Sequence, residues 1–171
     1  MLLYLDVISG DEMVSDAFPV KEIDDIAYEV DCKMITITEG DVDIGANPSA
    51  EGGDDEGADS SSQTVNNVVH SFRLVETSFD KKSYMVYIKG YMKAIKAHLE
   101  KNNPERVPVF EKQATNFIKK ILANFKDYEF YTGETMDTEG MVALLNYRED
   151  GVTPFFTFFK DGLREQKLTK D

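Results

Sequence analysis

Asp80-Lys-Lys-Ser-Tyr-Met-Val-Tyr-Ile-Lys-Gly-Tyr-Met-Lys-Ala-Ile-Lys-Ala-His-Leu-Glu-Lys-Asn-Asn-Pro104 is the stretch on which the fold class turns. At about 100° per residue, Tyr84, Ile88, Tyr91, Ile95 and Leu99 share an arc of about 80°, the apolar stripe of a helix packed on one side. Thr77-x-x-Asp80 resembles a capping box before it, and Asn102-Asn103-Pro104 stops it. Pro108 then opens a second helix, whose apolar set is Phe110, Ala114, Phe117, Ile118, Ile121, Leu122 and Phe125. With so short a connection through Arg106-Val107, the spacing predicts an antiparallel two-helix hairpin over about 80–126.

On either side the pattern changes to that of strands. Leu3, Leu5 and Val7 alternate with their neighbours, Ser9-Gly10-Asp11 is turn chemistry, and Met34-Ile-Thr-Ile-Thr38 is β-rich. Residues 22–30 fit either a short helix or a strand, and Pro19 stops any helix running through from residue 16. Residues 64–79 read as strand, with Val68, His70, Phe72 and Leu74 on one face. Beyond the hairpin, Glu129–Thr132, Met141–Tyr147 and Val152–Phe159 fit strands, and Asp150-Gly151 signals a turn between the last two. Strands before and after a helical pair make an α+β fold in a single domain over 1–171.

Gly45 to Gln63 contains no aromatic, Leu, Ile or Val, but four glycines, five carboxylates and Ser60-Ser61-Ser62. Such a window cannot bury enough apolar surface to offset its ordering entropy, which predicts a mobile acidic loop over about 41–63.

The formal charge of −13 is unevenly spread. Residues 1–70 carry 17 carboxylates against Lys21 and Lys33, whereas residues 71–171 carry 15 carboxylates and 17 basic side chains. A net acidic chain is a poor nucleic-acid binder, because phosphate neutralisation needs a basic face. Cys32, the single cysteine, excludes an internal disulfide and a cysteine zinc cage. Met1-Leu-Leu-Tyr-Leu-Asp6 lacks a basic leader, so no cleaved signal is expected. Apolar runs such as Met141–Leu145 are far shorter than a membrane span needs, and a soluble cytosolic monomer is the expectation.

Enzyme motifs are missing. His70 and His98 lie in different elements without a recognisable nucleophile, and no phosphate-cradling glycine motif occurs. His70, sharing a face with Val68 and Phe72, reads as structural. Asp41-x-Asp43-x-Gly45 starts like an EF-hand, but its glycine comes one position early and Gly52 stands at the closing position. Asp54, Asp55, Glu56 and Asp59 remain as weak calcium candidates, or else as plain solvated charge. Lys82, Lys89, Lys93 and Lys96 fall within about 60° of one another on the first helix. No carboxylate occurs between Asp80 and Glu100, so this ridge suits an acidic protein partner as well as solubility.

These residues resemble one family along the whole chain. Gly45-Ala-Asn-Pro-Ser-Ala-Glu-Gly52 is similar to the first signature of the translationally controlled tumour protein family. Phe125-Lys-Asp-Tyr-Glu-Phe-Tyr-Thr-Gly-Glu134 and Gly140-Met-Val-Ala-Leu-Leu-Asn-Tyr147 are similar to its second. Asp11-Glu12-Met13, Asn103-Pro-Glu-Arg-Val107 and Tyr147-Arg-Glu-Asp-Gly-Val-Thr-Pro154 match as well. The resemblance implies a β-tent core with a projecting two-helix hairpin and a long acidic loop. It also implies a cytoplasmic, non-enzymatic protein that binds calcium and tubulin and stabilises microtubules. Growth-related roles and histamine-releasing activity after non-classical secretion belong to some members. The family's tubulin-binding region includes the helical part, and so the ridge Lys82, Lys89, Lys93 and Lys96.

A similarity of fold to nucleotide-free chaperones of Rab GTPases implies the alternative, regulation of a Rheb-type small GTPase, with Glu12 central. Those chaperones carry a cysteine zinc site that Cys32 alone cannot build, so no zinc is expected. Some members end in a cysteine that links dimers, and this chain ends Thr169-Lys170-Asp171. Pro19 interrupts the segment, near residues 16–27, that corresponds to a proposed death-regulator-binding helix.

Overall fold

The structure, a computed structural model, describes residues 1–38 and 62–167. Strands β1 (Leu2–Asp6), β2 (Glu12–Ser15), β3 (Val20–Ile23), β4 (Ala27–Asp31) and β5 (Met34–Thr38) come first. Then follow β6 (Ser62–Asn66), helix α1 (Asn67–Phe72) and β7 (Val75–Thr77). The long helices α2 (Lys81–Asn102) and α3 (Val107–Ala123) precede β8 (Glu129–Thr132), β9 (Ala143–Tyr147), β10 (Pro154–Phe159) and β11 (Leu163–Lys167). It is a mixed α+β architecture, with more strand than helix elements among the described residues.

The strands form antiparallel sheets in the orders β11-β1-β2, β3-β4-β10-β9-β8-β7 and β5-β6. Strand β10 lies centrally, paired with both β4 and β9, and its Phe156 and Phe158 are wholly buried. It is entered from its neighbour β9 through the expected turn. Gly151 takes φ 73°, and the Asp150 carboxylate accepts from the amides of Val152 and Thr153. Residues 22–30 resolve as two strands rather than a helix. Asp24 and Asp25, at φ 51° and 57°, make the tight turn from β3 to β4, a conformation short acidic side chains tolerate.

The strand expected over 64–79 is broken by α1. Asn66 caps this helix by accepting from the amides of Val68 and Val69, and Arg73 ends it in the left-handed region at φ 56°. The alternation of Val68, His70, Phe72 and Leu74 therefore does not define a face. Val68 and Leu74 are buried, whereas His70 is exposed and takes no structural place in the core. Ser62 and Gln63, expected at the end of the acidic loop, belong to β6, where Gln63 pairs with Ile37. The rest of that loop lies outside the described residues.

Helix α2 begins at Asp80, whose carboxylate accepts from the Ser83 amide while the Ser83 hydroxyl receives the Asp80 amide proton. The capping box is thus Asp80-x-x-Ser83, and Thr77 is the last residue of β7. The expected stripe Tyr84, Ile88, Tyr91, Ile95 and Leu99 is the buried face. Tyr84 sits in an aromatic cluster, 5.6 Å from Phe79, 5.8 Å from Phe125 and 5.5 Å from Phe130, which holds α2 to β8. From α3, Phe117 packs edge-on against Phe159 of β10 at 5.6 Å. The turn between the helices is also tied down, because Arg106 donates to both carboxylate oxygens of Asp161 and to Asp25. The helix pair is held to the sheets at both ends rather than standing free of them.

Candidate functional site

At the β1–β2 corner, two buried carboxylates act as staples. Asp6 accepts from the amides of Ile8 and Met141 at 2.9 and 2.8 Å and from the Ser9 hydroxyl at 2.7 Å. Asp11 accepts from the Thr135 hydroxyl at 2.8 Å and the Thr135 amide at 3.2 Å. The segment 133–141 is drawn so close that a Cβ on Gly140 would stand 2.5 Å from an Asp6 oxygen. A Cβ on Gly133 would stand 2.6 Å from the Asp11 Cβ. Tyr87 of α2 closes the corner by donating to the Gly140 carbonyl at 2.7 Å. These residues turn Glu12, the first residue of β2, outward into a polar groove of about 330 Å³ beside Arg73 and Glu134. Arg73 pairs with Glu134 across it at 3.3 Å.

The lysine ridge is on the outer side of α2. Lys82, Lys89 and Lys93 are exposed and make no ion pair among the described residues, while Lys96 binds Glu111 of α3 at 2.8 Å. That pair holds the Lys96 ammonium above its ordinary pKa. The ridge expected from four lysines is therefore three free charges and one neutralised one, because a carboxylate on the second helix reaches the first.

Between the two helices, Met85, Ile88, Met92, Ile118 and Leu122 line an open groove of about 430 Å³, flanked by Lys89 and Lys119. Ile118 and Leu122, members of the apolar set of α3, are only partly buried. The signal was available: the apolar set of α3 spans about 140° of arc, wider than one packed face needs. Cys32 is buried, and its thiol is pushed up to about 11, chiefly by desolvation.

A family model described as translationally controlled tumour protein matches residues 1–164. The chain belongs to that family. It is 69 % identical over 169 residues to the translationally-controlled tumor protein homolog of Schizosaccharomyces pombe, covering 98 % of this chain and 100 % of that protein. It is 56 % identical over 168 residues to the homolog of Saccharomyces cerevisiae, with coverage of 98 % and 100 %. A solved structure of the Schizosaccharomyces pombe translationally controlled tumor-associated protein superposes with a TM-score of 0.83 at 67 % identity, covering 98 % of this chain and 100 % of that one. The translationally-controlled tumor protein of Caenorhabditis elegans gives 0.73 at 35 % identity, with coverage of 99 % and 100 %.

Within this member of the translationally controlled tumour protein family, the second signature has a packing logic. Phe125 and Phe130 belong to the aromatic cluster, and Gly133 and Gly140 admit the two staples. The first signature and the calcium candidates Asp54, Asp55, Glu56 and Asp59 lie outside the described residues. Among the described residues, no three His, Cys, Asp or Glu are grouped to hold a metal ion, and no helix is long and apolar enough to cross a membrane.

Proposed function

We propose that the protein is a non-enzymatic cytoplasmic binding protein for tubulin and microtubules, with weak calcium binding. We further propose that its sheets form the β-tent described for the family. The observation that supports the tubulin reading is the exposed trio Lys82, Lys89 and Lys93, which makes no ion pair among the described residues and lies on a stretch of α2 with no carboxylate before Glu100. Flexible acidic protein tails suit such a face, since lysines bind as point charges without demanding fixed geometry.

Co-sedimentation with microtubules tests it. The triple reversal Lys82→Glu, Lys89→Glu, Lys93→Glu, kept folded by circular dichroism, should abolish pelleting, and raising salt should weaken pelleting of the native chain. Pelleting unchanged by the reversal sinks the reading. Lys96 is left intact because a glutamate there would face Glu111. For calcium, amide chemical-shift titration should move Asp54, Asp55, Glu56 and Asp59 at millimolar concentrations; a flat response removes them as ligands. A second reading, regulation of a small GTPase, draws on the exposed Glu12 at the mouth of the Arg73–Glu134 groove.

A further inference from the structure

We propose that the groove between α2 and α3 is a docking site for an acidic amphipathic helix of a partner protein. The inference rests on the preceding reading only in taking this basic side of α2 as a partner-facing side. The groove is apolar along its floor, where Ile88 is buried and Met92, Ile118 and Leu122 are partly so. Met85, at its open end, is 41 % exposed and carries the apolar floor out to the surface. Methionines adapt their rotamers to a visiting side chain, which suits a groove that accepts more than one sequence.

Length and charge select the occupant. Met92 lies seven positions beyond Met85, about 10 Å along the axis at about 1.5 Å per residue, so two turns of a partner helix fit. Such a helix would seat apolar anchors at i, i+3 or i+4, and i+7. Lys89 stands on one wall and Lys119 on the other, and no carboxylate among the described residues lines the groove. One turn beyond Met92 and Thr115, Lys96 and Glu111 join the helices at 2.8 Å and close that end. A helix with carboxylates on both flanks of its apolar stripe meets a lysine on each side, whereas a basic helix is repelled by both. A second copy of this chain docked through the same groove would bring its own Lys89 and Lys119 against this pair. The acidic stretch from Gly45 to Gln63 supplies charge but no Leu, Ile, Val or aromatic anchor for the floor.

The test uses a short labelled helical peptide with leucine anchors flanked by glutamates. Two controls accompany it, one with the anchors changed to serine and one with the glutamates changed to lysine. Fluorescence anisotropy at physiological salt should show the acidic anchored peptide binding at least about tenfold tighter than either control. Amide shifts should centre on residues 85–92 and 115–122. The double variant Lys89→Glu, Lys119→Glu should lose the acidic peptide and gain the basic one, while Lys101→Glu, at an exposed lysine of α2 outside the groove, should change neither. Thr115→Glu, at an exposed lining position, should weaken the acidic peptide without unfolding the chain.

Equal binding of all three peptides, shifts centred elsewhere, or an equal effect of Lys101→Glu overturns the proposal. So does concentration-dependent self-association through these residues, or competition by a peptide of residues 39–61. No microtubule is present in the assay, so its failure leaves the tubulin reading standing. Pelleting unchanged by the triple reversal, with the native chain binding the acidic peptide, sinks the tubulin reading and leaves the groove standing.

Discussion

Asp6 and Gly140 show how one close approach governs a corner of the molecule. The Asp6 carboxylate is buried with three donors around it, and it can hold the Met141 amide only because Gly140 presents no side chain. Gly140→Ala would drive a methyl into both the carboxylate and Ser9, whose Cβ is 3.3 Å from the new atom. The neighbours are backbone-anchored rather than the ends of long side chains, so relief requires moving the β1–β2 corner. Gly140→Ala should cost about 1–3 kcal/mol, read as a lower urea midpoint at unchanged slope. Neither the staple nor the reason for the glycine was legible in the sequence, since 134 positions separate the two residues.

At the scale of elements, α1 is the instructive case. Its residues, Asn67-Val-Val-His-Ser-Phe72, lie between the strands β6 and β7, yet they form a helix because local capping outweighs continuation of the strand. Asn66 satisfies two otherwise unpaired amides, and the Arg73 amide returns to the Val69 carbonyl. Asn66→Ala removes the acceptor at a buried site and should destabilise the protein by about 1–2 kcal/mol, with loss of amide protection confined first to residues 67–72. The Asn66-Asn67 pair was a visible cap signal and Val68, Val69 and Phe72 have helical spacing, but so short a segment between β-rich flanks reads as their continuation. The long helices were easier: their stripes persist for several turns, and one face of each packs as the periodicity indicated. Their boundaries depended on details, Asp80 opening the capping box rather than closing it and a proline near the start of α3.

Across the whole molecule, charge ties distant segments together. Asp25, in the β3–β4 turn, receives hydrogen bonds from Lys160 and from Arg106, which hold its carboxyl below the usual range. A carboxyl depressed in the folded state stabilises above its unfolded pKa, about 3.9, and that contribution is lost as pH falls through the folded value. Stability should therefore drop on acidification below about pH 4. Asp25→Asn should lower stability at neutral pH and flatten that acid limb, as measured by urea midpoints across the range. The screened, half-exposed position keeps the effect modest.

The distribution of charge along the chain was readable at once, as were the α+β class, the two long helices and the family, because each resides in composition, periodicity or contiguous motifs. Which lysines remain free, which apolar residues of α3 stay uncovered and why Gly133 and Gly140 are glycines were decided only by the tertiary structure. Local sequence determines the direction in which a side chain leaves its own element. What it meets there is set by elements tens to more than a hundred residues away, and that meeting neutralised Lys96, buried Asp6 and left the groove between the helices open.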